Sequence, residues 1–217
     1  PTFTAFIVYL AVLMSIGIFF YLRTRNLSDY ILGGRGLNPW VAALSAGASD
    51  MSGWLLLGLP GAMYAGGMNN IWIAIGLSIG AFLNWQFVAK RLRQYTEVAN
   101  DSITLPDYLE NRFNDTSRVL RVISAVVILV FFTIYVSSGL VGGAILFEST
   151  FGLDYQVALW VGSLIIVSYT FLGGFMAVSW TDFIQGTLMF LALLIVPMIV
   201  IHNMGSWGDV VAKAGKI

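Results

Sequence analysis

One carboxylate, that of Asp50, stands inside an apolar stretch long enough to cross a lipid bilayer. The stretch covers residues 40–64, and about 20 apolar residues are needed to span the hydrocarbon. Asp50 lies ten residues beyond Trp40, which is about 15 Å along a helix and about half of a ~30 Å hydrocarbon core. A charge at that depth costs several kcal/mol unless something compensates it. Asp50 is therefore predicted to be functional. The alternative is a packing helix whose aspartate pairs with a buried neighbour.

Small residues surround this carboxylate. Serines flank it at Ser45, Ser49 and Ser52, and several glycines and a proline interrupt the same stretch. Glycine disfavours a continuous helix and lets backbone approach a ligand closely. We therefore expect two half-helices with a non-helical break between about Ala46 and Gly53. Broken helices at membrane depth are where secondary transporters bind ions and solutes, because they expose carbonyls and amides there.

The charge of Asp50 needs a partner, and the apolar cores of the predicted spans contain no Lys or Arg. A proton, a metal cation, exposed backbone dipoles or a residue elsewhere in a longer protein could each supply it. Hard cations such as Na⁺ prefer oxygen ligands. The carbonyls of Ala48 and Met51, with serine hydroxyls nearby, would provide such ligands if the helix breaks there. The pattern indicates a cation-coupled transporter and does not choose between Na⁺ and H⁺.

Other residues near membrane depth are interpreted as follows, and three of them have two interpretations each. Asp182 is expected either to cap a helix or stand in its first turn, or to line an ion path. Trp54 and Tyr135 are expected either to pack or to stack on a small ring. His202 and Pro197 are interpreted as an interfacial residue and a helix kink.

The composition is that of a polytopic membrane protein. Hydrophobic residues make up 58% and charged residues 10% of the 217 residues, whereas soluble domains carry about 25% charged residues. The formal net charge is +0, so nothing indicates a nucleic-acid partner. The chain has no cysteine and one histidine, which argues against disulfides and against a thiolate or His-based metal site. An enzyme is not expected, because the sequence holds no evident nucleophile–base pair.

The apolar segments predict an all-α fold of six transmembrane helices. They cover residues 3–22, 40–64, 71–89, 119–147 and 155–176, with a sixth inside 177–204. The connector 94–117 is expected to hold a short amphipathic helix that begins near Thr104 and ends at Phe113. The run of Gly33, Gly34 and Arg35 lacks the ending of a phosphate-binding loop and predicts a structured turn. The chain lacks an initial Met and an obvious natural end, so we expect it to be a portion of a longer protein.

Positive charges predict the orientation of these helices. If the connectors alternate between sides, nine of the 11 Lys and Arg residues share one face, and only Lys213 and Lys216 lie on the other. Short cytoplasmic loops are enriched in Lys and Arg. The face with nine is therefore expected to be cytoplasmic, which puts the N-terminus outside.

Five sequence blocks carry a resemblance to a known family. They are DYILGGR at 29–35, ALSAGASDMSGWLLLGLPGA at 43–62, LPDYLENRF at 105–113, FFTIY at 131–135 and GGFMAVSWTDFIQ at 173–185. On these blocks the chain resembles the sodium:solute symporter family over essentially its whole length. The Asp-Met-Ser-Gly-Trp run at 50–54 is the most specific of them.

The resemblance implies an inverted-repeat fold of the LeuT type, of which this chain would hold the N-terminal portion. Residues 1–39 would form an extra transmembrane helix and a cytoplasmic connector. Residues 40–204 would form the first five-helix repeat, and residues 205–217 an extracytoplasmic tail. The second repeat would be absent. The implied location is the bacterial inner membrane, with the lipid bilayer as surroundings.

The resemblance also implies Na⁺ as the coupling ion. The backbone of Ala48 and Met51 would bind Na⁺, and Asp50 would be essential to its uptake. Hydroxyls of the second repeat would complete the site. Asp182 matches an acid that belongs to an additional sodium site or path in some relatives.

The implied solute is L-proline, in a pocket bordered by Ser52, Gly53, Trp54 and Tyr135. We accordingly expect the ring of Tyr135 to face segment 48–54 rather than lipid. Two alternatives stay open: a Na⁺ or H⁺ symporter of another small solute, and the transporter-like membrane domain of a sensor kinase.

Overall fold

The structure is a computed structural model that describes residues 2–51, 54–205 and 208–209. All regular elements within these ranges are helical. The α-helices are α1 (Thr2–Tyr21), α2 (Leu27–Leu32), α3 (Pro39–Met51), α4 (Leu59–Gly66), α5 (Ile71–Leu83), α6 (Lys90–Val98), α7 (Leu105–Phe113), α8 (Val119–Phe151) and α9 (Tyr155–Met204). Short 3₁₀ helices cover Gly33–Arg35 and Met68–Asn70, and π-helical turns cover Trp54–Gly58 and Asn84–Ala89.

Four helical segments in the described ranges are long and apolar enough to cross a membrane. They are Phe3–Tyr21, Met68–Val98, Val119–Phe151 and Tyr155–Met204. The second runs from a 3₁₀ turn through α5 and a π-helical turn into α6, so it extends beyond the predicted 71–89. Large apolar side chains cover the outer faces of these helices, which suits contact with lipid or with further protein. The all-helical, multi-pass architecture expected from the sequence is confirmed at this level.

The longest helix, α9, is interrupted at Gly174. This residue has φ 59° and ψ −154°, values outside the helical region and accessible essentially to glycine alone. The side chains of Tyr169 and Thr181 nevertheless lie within hydrogen-bonding reach, although twelve residues of straight helix would separate them by about 18 Å. The two halves of α9, residues 155–173 and 175–204, therefore fold back on each other. The sequence had put this boundary between Met176 and Ala177.

Glycines let α1 approach the first half of α9 closely. A Cβ atom on Gly17 would lie 3.3 Å from the Cβ of Tyr169, and one on Gly173 would lie 3.0 Å from the carbonyl oxygen of Gly17. Membrane helices have little hydrophobic drive to associate, so small residues that bring backbones together supply the dispersion contact. Helix α1 also contacts the second half of α9, where the Gln185 amide donates to the Tyr9 hydroxyl.

The segment predicted to break, 40–64, differs from expectation in one respect. Helix α3 is regular through Met51, so the prediction of a break that begins near Ala46 is wrong. A π-helical turn at Trp54–Gly58 then leads into α4, and Ser52 and Gly53 lie outside the described residues. The α-helical hydrogen bonds of 39–51 hold because the alanines and serines there tolerate a helix. Of the described glycines after Met51 in this stretch, Gly58 stands in the π-helical turn and Gly61 in α4.

A short connector packs against the reversal in α9. Tyr30 on α2 donates its hydroxyl to the carbonyl of Phe171 at 3.1 Å, in the turn where the Gly174 break leaves helix carbonyls without their usual partners. Gly34, with φ 59°, then turns the chain. Arg35 follows, 19% exposed, and pairs with Asp101 and, at 3.5 Å, with Glu97. The predicted structured turn is confirmed.

The predicted amphipathic helix is also present. Thr104 caps α7 by accepting from the Asp107 amide at 3.2 Å, and the helix ends at Phe113. Arg121, near the start of α8, pairs with Asp107 at 2.6 Å and with Glu110 at 3.0 Å. These ion pairs fix α7 against the N-terminal end of α8, outside the apolar core of that helix.

Asp115 stabilises the start of α8. Its carboxylate accepts from the hydroxyl of Ser117 and, at 2.7 Å, from the amide of Leu120. These hydrogen bonds hold the pKa of the exposed Asp115 carboxyl below its ordinary value. A lowered folded-state pKa means that this contribution is present above the unfolded-state pKa and is lost as the pH falls through the folded one.

Arg35 predicts a local stability effect that can be measured. Arg35→Gln removes the charge that joins α2 to the connector after α6, so amide hydrogen exchange should accelerate in residues 28–36 and 98–104. An ion pair of this kind contributes about 1 kcal/mol, or about fivefold in exchange rate. The matched control is Arg25→Gln, whose guanidinium pairs with no acid among the described residues. Equal exchange in both variants would show that Arg35 does not hold the connector.

Candidate ion and solute site

The candidate site forms along α3, where two serines meet a carboxylate from α9. Ser45 and Ser49 are one helical turn apart and so lie on the same face of α3. Their hydroxyls donate to the same oxygen of Asp182, Oδ2, at 2.9 and 2.8 Å. Ser45 is buried. The two hydroxyls satisfy this oxygen at the helix interface, and no Lys or Arg among the described residues pairs with it.

Close backbone packing makes these hydrogen bonds possible. A Cβ atom on Gly186 would lie 3.3 Å from the Cβ of Ala48 and 3.3 Å from the carbonyl oxygen of Leu44. Gly186 stands one turn beyond Asp182, on the same face of α9. The missing side chain at Gly186 therefore lets α3 come close enough for short serine side chains to reach Asp182.

The position of Asp182 excludes one of its two interpretations, that of a helix cap or first-turn acid. It lies in the third turn after the Gly174 break, not at the start of a helix. The interpretation of Asp182 as a helix cap or first-turn acid is therefore wrong. Its hydrogen bonds go to another helix, across an interface.

The final turn of α3 also contacts α8. The hydroxyl of Tyr135 donates to the backbone carbonyl of Ser49 at 2.7 Å. This carbonyl lies two residues before Met51, the last described residue of α3. The expectation that Tyr135 faces segment 48–54 is confirmed by this contact.

A cavity of about 470 Å³ opens between α3, α5 and α8. Asp50, Trp54 and Tyr135 line it together. Its other lining residues are Leu55, Leu59, Ile73, Ala74, Leu77, Ser78 and Ser138. The wall is thus mainly apolar, with one carboxylate and three hydroxyls, and both serine hydroxyls also donate to carbonyls of their own helices. Such a space suits a small solute with an apolar body and a few polar groups.

The structure brings together some of the predicted site residues and separates others. Asp50, Trp54 and Tyr135 share the cavity, whereas Asp182 lies at the α3–α9 interface, where the side chain of Ala48 also faces. The backbone of Met51 ends α3, and Ser52 and Gly53 lie outside the described residues. The two acids thus lie on different sides of α3: Asp50 faces the cavity, and Asp182 of α9 faces the α3–α9 interface.

Carboxylates and imidazoles do not gather into a metal cluster in the described ranges, where no group of three or more His, Cys, Asp or Glu is close enough to hold an ion. A cation bound here would take most of its oxygen ligands from carbonyls and hydroxyls. The carbonyls nearest to Asp50 along the chain are those of the neighbouring residues of α3.

Sequence reasoning missed the partners of Asp182. Ser45 and Ser49 had been associated with Asp50, to which they are near in sequence, and the Tyr9–Gln185 contact had not been expected. The i, i+4 spacing of the two serines was a visible signal that both face one partner. Nothing in the sequence alone indicated that this partner was on α9.

Comparison with known proteins gives the family. The pattern that defines the sodium:solute symporter family matches residues 30–217. The chain belongs to the sodium:solute symporter family. This symporter chain is 57% identical over 209 residues to the sodium/proline symporter of Escherichia coli (strain K12), covering 96% of the chain and 42% of that protein. It is 58% identical over 205 residues to the high-affinity proline transporter PutP of Bacillus subtilis (strain 168), covering 94% of the chain and 43% of that protein.

A third relative, the sodium/proline symporter of Haemophilus influenzae (strain ATCC 51907 / DSM 11121 / KW20 / Rd), is 55% identical over 201 residues, covering 93% of the chain and 40% of that protein. The symporter chain thus spans about two fifths of the length of the curated relatives it matches. No solved structure matches it.

The close approach at Gly186 predicts how a substitution there would act. Gly186→Val places a branched side chain against Ala48 and should force α3 away from Asp182, which costs about 1–3 kcal/mol. We expect the purified full-length protein to unfold at a lower temperature. Gly162→Val is the matched control on the same helix, because a Cβ at Gly162 meets no atom within 4 Å. Similar losses in both variants would contradict a specific α3–α9 contact at Gly186.

Proposed function

We propose that the full protein to which this chain contributes is a Na⁺-coupled symporter that takes up L-proline. One observation carries the proposal: in a chain of the sodium:solute symporter family, Asp50, Trp54 and Tyr135 converge on one cavity beside the end of α3. Relatives at 57% and 58% identity carry the names sodium/proline symporter and high-affinity proline transporter. No feature of the described chain favours an enzymatic function.

The proposed architecture has six spans. Helix α1 and its connector, residues 1–39, precede a five-helix repeat over 40–204, and residues 205–217 form a tail. The reversal at Gly174 supports two spans within α9, and segment 40–64 supplies the remaining one. The rest of the protein contributes an inverted second repeat. One face of the proposed bundle carries most of the Lys and Arg residues. This excess supports a cytoplasmic location for that face and an extracytoplasmic N-terminus.

The proposed cation site uses the end of α3. Carbonyls of Ala48 and Met51 bind Na⁺, and Asp50 supplies negative charge close by. The nearness of these carbonyls to Asp50 along the chain supports this role, because a hard cation prefers oxygen ligands. Hydroxyls of the second repeat complete the ligand set. Asp182, with its two serine donors, forms an additional sodium site or part of the ion path.

The proposed solute site is the cavity beside Asp50, bordered by Ser52, Gly53, Trp54 and Tyr135. L-Proline is a zwitterion with a compact apolar ring. The aromatic rings of Trp54 and Tyr135 offer that ring an apolar wall. Free backbone amides would receive the proline carboxylate without a basic side chain, as amides at helix N-termini do for anions.

Uptake of radiolabelled L-proline by the full-length protein, with Na⁺ and with choline as the replacing cation, tests this function. We expect Na⁺ to be required and the other small amino acids to compete poorly. Saturable proline uptake that is indifferent to Na⁺ would contradict the coupling ion. Na⁺-driven uptake of a different solute would contradict the substrate.

Tyr135→Ala tests the solute cavity. The change removes an aromatic wall, so the proline concentration for half-maximal uptake should rise about tenfold or more, while Na⁺ dependence stays. Tyr64→Ala, at an exposed position on α4, is the matched aromatic control and should change that concentration little. An unaltered proline dependence in a well-expressed Tyr135→Ala protein would remove Tyr135 from the pocket.

Asp50→Asn tests the cation site. Asn keeps the shape and much of the hydrogen bonding of Asp but removes the charge that offsets Na⁺. Na⁺ activation of uptake should weaken far more than protein abundance in the membrane. Wild-type Na⁺ activation in this variant would show that the carboxylate does not serve the ion.

Asp182→Asn tests the second acid. If Asp182 lines the ion path, the Na⁺ concentration for half-maximal uptake should change, because Asn keeps the size of the side chain but not its charge. Unaltered sodium kinetics would assign Asp182 a packing role only.

A further inference from the structure

Ser49 forms hydrogen bonds toward both candidate sites. Its hydroxyl donates to Oδ2 of Asp182 at 2.8 Å, and its backbone carbonyl accepts from the hydroxyl of Tyr135 at 2.7 Å. The first bond reaches the α3–α9 interface, and the second reaches the wall of the solute cavity. A single residue thus connects an acid on one side of α3 with an aromatic hydroxyl on the other.

Ser45 provides a natural comparison. Its hydroxyl donates to the same Oδ2 atom, at 2.9 Å, but it stands one turn earlier, inside α3. Its carbonyl is in position to accept the amide of Ser49 in the regular helix pattern. The carbonyl of Ser49, in contrast, takes a donor from α8, the hydroxyl of Tyr135. The two serines therefore make equivalent contacts with Asp182 and different contacts with the cavity.

We infer that Ser49 is a positioning residue that couples Asp182 to Tyr135, so that a cation at Asp182 changes the solute cavity. This inference rests on the proposed function, in which Asp182 meets Na⁺ and Tyr135 borders L-proline.

The physical basis is competition for one oxygen. A cation drawn to Asp182 takes lone pairs of Oδ2 that Ser49 and Ser45 occupy as hydrogen-bond donors. Release of the Ser49 hydroxyl lets Ser49 move. Its backbone carbonyl, which accepts the hydrogen bond from Tyr135, then moves with it. The ring of Tyr135 then gains freedom to adjust to a solute. By thermodynamic reciprocity, a solute that moves Tyr135 changes cation affinity at Asp182 by the same factor.

A double-mutant cycle tests the coupling. Ser49→Ala removes the hydroxyl and keeps the carbonyl, and Tyr135→Phe removes the hydroxyl and keeps the ring. The measured quantity is the Na⁺ concentration that half-saturates the thermal stabilisation of the purified full-length protein, because a ligand that binds the folded state raises its unfolding temperature. This measurement needs neither transport nor a known solute.

The expected result is non-additivity for Ser49 and additivity for Ser45. In the Ser49→Ala, Tyr135→Phe protein, the change in half-saturating Na⁺ should differ by at least about threefold from the product of the single changes. In the Ser45→Ala, Tyr135→Phe protein it should equal that product within about twofold. Ser49→Thr restores a hydroxyl and should restore the wild-type value, which a loss of packing alone would not explain.

Additive behaviour in the Ser49 cycle would overturn the inference, and so would equal coupling in both cycles. If Ser49→Ala does not accumulate in the membrane, the cycle of Asp182→Asn with Tyr135→Phe replaces it, with the same threshold and the same contradicting result. A wild-type protein that Na⁺ does not stabilise would overturn both this inference and the proposed function. A protein with the predicted Ser49 coupling but no proline uptake would overturn the proposed function alone.

Discussion

The contact between α3 and the second half of α9 is the interaction on which the candidate site depends. Asp182 lies within an apolar helix, and its carboxylate is held by hydroxyls of Ser45 and Ser49 instead of a basic side chain. Hydroxyl donors satisfy the oxygen without a basic side chain, so no cationic side chain occupies the place beside it. An arginine at the same place would stabilise the acid and also occupy it.

Two glycines on α9 make this contact geometrically possible. Gly174 reverses the chain, which brings residues 175–204 back along the preceding helix, and Gly186 lets α3 approach within van der Waals distance. Tyr30 packs over the reversal from the connector, and Arg35 ties that connector to Asp101 and Glu97. The position of Asp182 among the helices is thus fixed both from within α9 and from the connector that packs against the reversal.

The sequence predicted helices and the local chemistry of polar turns well, because these depend on neighbouring residues. Apolar runs predicted the positions of the four segments that are long and apolar enough to cross a membrane, and the Thr104 cap and the Arg35 turn were found where expected. It failed where a local propensity competed with the rest of the helix. Residues 46–51 were predicted to unwind because of nearby glycines and serines, yet they stay helical, and the irregular backbone appears at Trp54–Gly58. In residues 46–51, the helix propensity of the alanines and the interhelical hydrogen bond of Ser49 outweigh the effect of the single glycine, Gly47.

The candidate site was predicted in part for the same reason. Asp50, Trp54 and Tyr135 could be connected by depth in the bilayer, which follows from counting residues along each span, and they share a cavity. The pairing of Asp182 with Ser45 and Ser49 depends on how α9 folds back, which no local pattern encodes. Counting residues along each span therefore grouped the residues that share the cavity. The packing of the helices decides which face of α3 each residue contacts.

The central claim is that the end of α3 serves an ion on one side and a solute on the other. A structure of the full-length protein determined with Na⁺ and L-proline tests it most directly. The account predicts proline between the rings of Trp54 and Tyr135, a Na⁺ ion coordinated by last-turn carbonyls of α3, and Ser49 between Tyr135 and Asp182. Proline bound away from α3, or an α3 end whose carbonyls contact neither ligand, would contradict it.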